Sequence, residues 1–197
     1  MATRFPRLQA YLDALPQGAH SYPEVRSKAS LIRNMEESRR LVVEPGELPE
    51  PCYEMLRNPP PSSAWQPTVP FCALMLAYGD AHFPGDDEGF NAWIYGISAT
   101  LYAKPLYRFL MYVSSPKRIV AGAASRWHTF HQGSSVDMLE HTDQSAVFRV
   151  NAPAGIFSPV VLKTTAVAWE AAIAAAGGTS VKSEIVDVKG TFRLTWK

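Results

Sequence analysis

The N-terminal part of the chain carries apolar residues at helical spacing. Residues 4–15 repeat them every three or four positions and end at Pro16-Gln17-Gly18, which predicts a short helix. Ser21-Tyr22-Pro23-Glu24 then has the spacing of a capping box, with proline in the first turn. Because apolar residues continue on one face after it, the pattern predicts a second helix over about residues 22–40.

Two further helices are predicted before residue 80. Residues 51–57 fit a short helix, and the Pro/Ser-rich residues 58–63 are expected to form a loop because consecutive prolines donate no backbone hydrogen bonds. Residues 69–78 are apolar nearly all round, which predicts a buried helix that stops at Gly79. We therefore expect residues 1–79 to form a helical N-terminal part.

Residues 80–89 are acidic and rich in turn formers. Their candidate metal ligands are Asp80, His82, Asp86, Asp87 and Glu88, but the spacing is not that of a calcium-binding loop. We expect an exposed acidic loop, with a metal site as the alternative. Residues 90–113 follow as a long helical stretch that Pro105 should kink or break near Ala103-Lys104, so the stretch is one kinked helix or two consecutive helices.

The C-terminal part alternates between helical and strand periodicity. A serine cap, a proline in the first turn and a closing Gly133 predict a helix over residues 114–133, and an alanine-rich helix is predicted after Ser158. A hairpin over residues 136–150 follows the first helix, and a hairpin that turns at Lys189-Gly190 follows the second. The predicted fold is α+β, with an antiparallel sheet of about four strands, from two hairpins, packed against a bundle of helices.

The composition is that of a globular protein and bears on its partners and location. The 197 residues suffice for one domain, so we expect residues 1–197 to form a single domain whose residues 80–197 make the helix-hairpin-helix-hairpin core. With 19 Lys and Arg against 18 Asp and Glu, the net charge of +1 argues against nucleic-acid binding. No stretch has the apolar length of a membrane span or the core of a signal peptide, so a cytoplasmic protein is expected.

Cys52 and Cys72 fit no zinc pattern and are expected to be reduced thiols that are buried or half-buried.

Three of the five histidines lie in the segment Arg126–Asp143. His128 and His131 have the spacing of two ligands on adjacent turns of a helix, but two ligands are fewer than a zinc site uses. A haem axial ligand, from one of these histidines or from a methionine, is a further alternative. His141 falls at the tip of the predicted hairpin, too far along the strand to join them. We therefore expect a helix-to-strand junction with partly exposed histidines, and predict no catalytic residue, metal or cofactor.

Aromatic residues are concentrated between Phe90 and Val113. Such residues usually form core, but the walls of ligand pockets are also apolar and aromatic with a few polar groups, so the pattern leaves both open. The residues that would line an apolar pocket are Trp93, Tyr95, Tyr102, Tyr107, Phe109 and Trp127.

Several short patterns in the C-terminal part resemble a known family. They are SSPKRIV, RW, GSSVD, AVFRV, PVVL, AWEAAIAAAGG and VKGTFRLTW. Over roughly residues 80–197 the chain resembles a large family of uncharacterised myxobacterial proteins of about this length. The C-terminal half of that family in turn resembles the 4-vinyl reductase domain, in a wider group with TRAPP vesicle-tethering subunits and haem-NO-sensor-like proteins. That group is regarded as a small-molecule or hydrocarbon binding module.

The resemblance implies a non-enzymatic domain that binds an apolar small molecule in sensing or signalling, with a homodimer formed through helices as in TRAPP-like relatives. Some members of that group carry a cysteine cluster near the C-terminal hairpin, and its haem-sensor members use a Tyr-x-Ser-x-Arg motif. This chain has neither feature. Two alternatives stay open: a protein-interaction module without a ligand, and an enzyme with His128 or His131 as general base. The sequence has no G-x-S-x-G, P-loop or G-x-G-x-x-G motif to support the enzyme.

Overall fold

The computed structural model describes residues 3–105, 108 and 114–197, which form two compact units. The N-terminal unit contains the described residues up to Phe90 together with Phe130–Gly133 and Pro153–Ile156. The C-terminal unit contains the described residues of Asn91–Thr129, Ser134–Ala152 and Phe157–Lys197. That residues 1–197 form a single domain stays a prediction.

The N-terminal unit contains the helices α1 (Pro6–Asp13), α2 (Ser30–Ser38), α3 (Glu50–Arg57) and α4 (Thr68–His82). α4 is buried from Thr68 to Asp80, as expected for a helix that is apolar all round. It continues through Gly79, so the predicted stop at this glycine is wrong. A Cβ at Gly79 would lie 3.1 Å from the ring of Phe90, so the glycine lets this ring pack closely against α4.

The N-terminus of α1 is capped by a side chain of α4. The N-cap residue Phe5 makes no capping hydrogen bond. Instead, Asp80 Oδ2 accepts the backbone N–H groups of Arg7 at 2.9 Å and Leu8 at 3.1 Å, and Oδ1 pairs with Arg7 Nη1 at 3.2 Å. The Asp80 side chain is fully buried, so the predicted exposed acidic loop is wrong at its first residue. The hydrogen bonds and the arginine offset part of the cost of burying this carboxylate.

The helix predicted over residues 22–40 forms only from Ser30. Tyr22 has a left-handed backbone, with φ of 52°, and residues Arg26–Lys28 form the strand β1. Ser21 Oγ accepts the backbone N–H of Gln17 at 2.9 Å and does not form the predicted capping box. The capping prediction fails because the segment after it gains hydrogen bonds from strands on both sides.

Those strands make an antiparallel three-stranded sheet in the order β2 (Trp65–Pro67), β1, β3 (His131–Gln132). The sequence pattern did not predict it, because strands of two or three residues are too short to show alternation. Gly133 has the predicted left-handed conformation, with φ of 72°, but it follows the strand β3 and does not end a helix as predicted.

Further helices with both ends among the described residues are α5 (Asp87–Ala103), α6 (Pro116–Ala121), α7 (Ala123–Phe130) and α8 (Pro159–Ala175). The end of α5 at Ala103 agrees with the predicted break. The helix predicted over residues 114–133 is divided at Gly122 and ends at Phe130. Among the described residues no helix combines the length and apolar character that crossing a membrane requires.

The C-terminal unit is built on an antiparallel four-stranded sheet. Its strands are β4 (Ser135–His141), β5 (Ser145–Asn151), β6 (Lys182–Ile185) and β7 (Thr191–Thr195), in the order β4-β5-β7-β6. The predicted α+β fold with two hairpins is therefore confirmed. Phe148 and Phe192 face each other from paired strands with ring centroids 5.5 Å apart, and both are fully buried in the core with Leu162 and Ile173 of α8.

Candidate functional site

The structure separates the three histidines of residues 126–143. His128 is exposed on α7, and His141 is exposed at the end of β4. Because α7 ends at Phe130, His131 lies in β3 and shares no helix face with His128. The predicted helix-to-strand junction is confirmed, and the alternative of two imidazoles on one helix face is wrong. Within residues 3–105, 108 and 114–197, no three His, Cys, Asp or Glu side chains come together as a metal site.

His131 joins a set of polar side chains on the three-stranded sheet. In the sheet, Ser27 of β1 stands opposite Gln66 of β2 on one side and opposite His131 of β3 on the other. Directly opposite residues project from the same face of a sheet, so these three side chains form a row. Ser27 Oγ lies 3.2 Å from His131 Nδ1 and 2.8 Å from Thr68 Oγ1. We call Gln66, Ser27, His131 and Thr68 the polar row.

Three members of the polar row are buried and His131 is half-buried, and the surroundings of this imidazole decide its chemistry. Ser27, Thr68 and Gln66 are 0%, 1% and 4% exposed. Burial lowers the pKa of His131 to about 3, so its imidazole is neutral near pH 7. A general base works best when its pKa lies near the operating pH, so His131 is poorly suited to activate the Ser27 hydroxyl. The polar row therefore contains a serine and a histidine in contact, but the pKa of the histidine is too low for it to act as the base of a catalytic Ser–His pair.

Gln66 is the most unusual member of the polar row. Neither the oxygen nor the nitrogen of its carboxamide has a hydrogen-bond partner among the described residues. Leaving a buried polar group unpaired costs roughly 1–3 kcal/mol. Ser27 and Gln66 were not candidates from the sequence, because each stands in a strand of three residues and the row joins positions as far apart as 104 residues.

The two cysteines are free and buried, as predicted. Burial raises the pKa of the Cys52 thiol and of the Cys72 thiol to about 12. The thiolate is the nucleophilic and metal-binding form, so neither cysteine is prepared for nucleophilic or metal chemistry near neutral pH.

Trp127, one of the predicted pocket residues, lies in the core of the C-terminal unit. It is 3% exposed, and its indole Nε1–H donates to Ser134 Oγ at 3.1 Å. Its ring centroid lies 5.6 Å from that of Phe157. Within the described residues its surroundings are those of a packed core residue with a satisfied polar group.

The other predicted pocket residues belong to the stretch that contains α5. Trp93 is 9% exposed, whereas Tyr95 and Tyr102 of the same helix are half-buried. Tyr107 and Phe109 lie outside the described residues. That the six aromatic residues line one pocket stays a prediction.

α5 has two distinct apolar faces. One is buried and contains Trp93, Ile94 and Leu101. The other follows the spacing i, i+3, i+4 and i+7, is half-buried throughout, and consists of Tyr95, Ser98, Ala99 and Tyr102, of which Tyr102 also packs against the core of the C-terminal unit. We call this second set the α5 face. Ser98 and Ala99 are small, so their side chains project less far from the helix than the two tyrosine side chains on either side of them. The Tyr95 hydroxyl has no hydrogen-bond partner among the described residues.

Comparison with known proteins gives a likeness of fold. No family profile and no curated protein matches the chain in sequence. Among solved structures, the chain is similar to the crystal structure of a point mutant of the Fe(II) unliganded H-NOX protein from K. algicida, with a TM-score of 0.54. The alignment covers 86% of this chain and 96% of that chain, at 8% sequence identity. At this identity the likeness shows a shared fold and no more.

The histidines offered by the sequence do not fit an iron centre of haem type. Such a centre takes an axial side chain that faces the cofactor within a shielded pocket. His128 is exposed on the surface of α7, and His131 packs in the polar row with its Nδ1 at the Ser27 hydroxyl. The described residues therefore do not support haem ligation through either histidine.

Proposed function

We propose that the chain is a small-molecule-sensing domain that binds an apolar ligand at the α5 face and carries out no chemistry on it. The observation that carries this proposal is the composition of the face, with the small Ser98 and Ala99 between the half-buried rings of Tyr95 and Tyr102. Ligand pockets are mostly apolar and aromatic with a few polar groups, and the α5 face has this composition.

The likeness of fold supports the same class of function. The chain resembles an H-NOX protein in fold. Its sequence patterns resemble a group that includes haem-NO-sensor-like proteins, so the two resemblances point to the same class. In that wider group the domain is regarded as a small-molecule binding module. For this chain we propose a ligand other than haem, because the α5 face offers aromatic rings and hydroxyls and no imidazole.

The chemistry of the α5 face defines the ligand class. The rings of Tyr95 and Tyr102 favour a flat apolar molecule that packs over Ala99. The Tyr95 hydroxyl, without a partner among the described residues, selects a ligand with one hydrogen-bonding group. No charged side chain belongs to the face, so the ligand is neutral.

Titration with Nile red, a neutral apolar dye, tests the proposal. Ala99→Trp fills the space between the tyrosine rings, and Ala124→Trp places the same side chain on the exposed surface of α7 as a matched control. We expect the wild type and Ala124→Trp to bind the dye with equal affinity and Ala99→Trp to bind at least about tenfold more weakly, a loss of about 1.4 kcal/mol. Equal binding by Ala99→Trp, or no binding by the wild type, would contradict the proposal.

The homodimer is a separate prediction and is measured by the molecular mass in solution. In the interaction-module alternative, the α5 face would bind protein and not a small molecule. If that protein is a second copy of the chain, Ala99→Trp would change the molecular mass of the assembly in solution. The wild type would fail to bind Nile red.

A further inference from the structure

The N-terminal unit contains a concave site of about 160 Å³ that is independent of the α5 face. One wall is the irregular segment after α2, with Arg40, Leu41 and Val43. The other wall is α3, where Tyr53, Leu56 and Arg57 share one side of the helix at the spacing i, i+3 and i+4. We call this concave site the arginine pocket.

The pocket combines apolar walls with two positive charges. Neither the Arg40 nor the Arg57 guanidinium makes a hydrogen bond or ion pair with any residue that the structure describes. Other arginines of the same unit are engaged: Arg4 pairs with Glu47 at 2.7 Å, and Arg33 donates to the backbone oxygens of Pro59 and Pro60. The two pocket arginines are therefore uncompensated among the described residues and give the pocket a positive potential.

Acidic residues close in sequence do not neutralise these charges. Glu54 of α3 accepts a hydrogen bond from the Asn58 amide at 3.1 Å. Glu47 is held by Arg4 and by the backbone N–H of Glu44 at 2.7 Å. An anion from solution can therefore approach either guanidinium group without displacing Glu54 or Glu47.

The wall that carries Arg40 is held in place. The Arg40 carbonyl oxygen accepts a hydrogen bond from His82 Nε2 at 3.1 Å, which ties the segment to the end of α4. Leu41 is 6% exposed and anchors the next position in the core. A site whose walls are fixed before binding loses less conformational entropy when a ligand enters.

From these features we propose that the arginine pocket binds a small carboxylate with an apolar body. Guanidinium groups match the planar carboxylate and bind it with paired hydrogen bonds. Leu41, Val43 and Leu56 supply apolar contact, and the Tyr53 hydroxyl offers one further donor. A cavity of about 150 Å³ accommodates benzene, so an open concave site of about 160 Å³ has room for a ring-sized ligand.

Isothermal titration calorimetry of the full chain with benzoate, at constant ionic strength, tests the site. Benzyl alcohol has the same ring without the charge, and inorganic phosphate has charge without the ring. We expect benzoate to bind with a Kd on the order of 1 mM or tighter. Benzyl alcohol and phosphate should each bind at least about tenfold more weakly, because benzyl alcohol lacks the carboxylate charge and phosphate lacks the apolar ring.

Variants of exposed residues locate the binding. Arg40→Met and Arg57→Met should each weaken benzoate binding at least about tenfold, since each removes a charge-assisted hydrogen-bond donor. Arg26→Met, which changes an exposed arginine of β1 outside the pocket, should leave it unchanged. Undiminished binding in both pocket variants, equal binding of benzyl alcohol or of phosphate, or no binding of benzoate would each overturn the proposal. Nile red binding by the same variants separates this result from the α5 face, because it should remain at the wild-type level.

Discussion

Ser27 and His131 stand opposite each other on paired strands, with Oγ 3.2 Å from Nδ1, although they lie 104 residues apart in the chain. The contact holds a histidine of the segment 126–143 inside the N-terminal unit. This explains why His131 is half-buried while His128, three residues earlier, is exposed. Sheet pairing, and not helix geometry, determines where this imidazole lies.

The burial of His131 predicts that stability falls as the pH is lowered. Its folded-state pKa of about 3 lies below the ordinary value near 6.5, so the unfolded chain binds the proton first. The contribution is present in full above pH 6.5 and is lost as the pH falls from there towards 3. Between pH 7 and pH 5, we expect this group to reduce the free energy of unfolding by about 2 kcal/mol.

Urea unfolding of the wild type and His131→Gln at both pH values measures this loss. Glutamine keeps a polar side chain at the position and does not titrate. Groups such as Asp80 and Glu36, whose pKa values burial raises, are the same in both chains and cancel in the comparison. An equal loss of stability in the two chains would show that His131 is not the group responsible.

Gln66→Met should stabilise the protein. The carboxamide is 4% exposed and has no hydrogen-bond partner among the described residues, so an apolar side chain of similar shape removes an unpaired polar group. The expected gain in the free energy of unfolding is about 1–2 kcal/mol. Gln17→Met, at an exposed position, is the control and should change stability by no more than about 0.5 kcal/mol. A loss of stability in Gln66→Met would mean that the amide has a partner, such as a buried water.

Asp80→Ala should be strongly destabilising. It leaves the backbone N–H groups of Arg7 and Leu8 without an acceptor and removes the partner of the Arg7 guanidinium, so we expect a loss of about 3 kcal/mol or more. Asp80→Asn should cost less, because the amide oxygen can still accept a backbone hydrogen bond and burial already raises the pKa of this carboxyl. Asp87→Ala is the control, since the Asp87 side chain is 75% exposed and its pairing with Arg7 should contribute no more than about 1 kcal/mol. Equal losses in Asp80→Ala and Asp87→Ala would argue against the capping role.

The parts of the fold that the sequence predicted are those with local causes. The apolar stretch of α4 and the alternation of the two hairpins lie within single segments, and both are confirmed. The start of α2 was wrong because β1 pairs with Trp65–Pro67 and with His131–Gln132, partners that no local pattern reveals. The role of Gly79 was missed for the same reason, since it depends on the ring of Phe90 packing against it.

The candidate site was predictable only in part. Tyr95 and Tyr102 were candidates because aromatic side chains are conspicuous in a sequence, whereas Ser98 and Ala99 carry no such signal. The small residues gain meaning only from their position between the two rings on one helix face. In the arginine pocket, Arg40 and Arg57 look like ordinary surface residues in the sequence. Only the structure shows that their guanidinium groups have no hydrogen-bond or ion-pair partner among the described residues.

Native mass spectrometry of the wild type, purified without unfolding and compared with Ala99→Trp and Ala124→Trp, tests the central claim most directly. We predict an additional mass of a neutral apolar molecule on the wild type and on Ala124→Trp, its absence from Ala99→Trp, and an absorption spectrum without a Soret band. A bare protein mass for the wild type, or the same bound mass on all three chains, would contradict a ligand-sensing role for the α5 face.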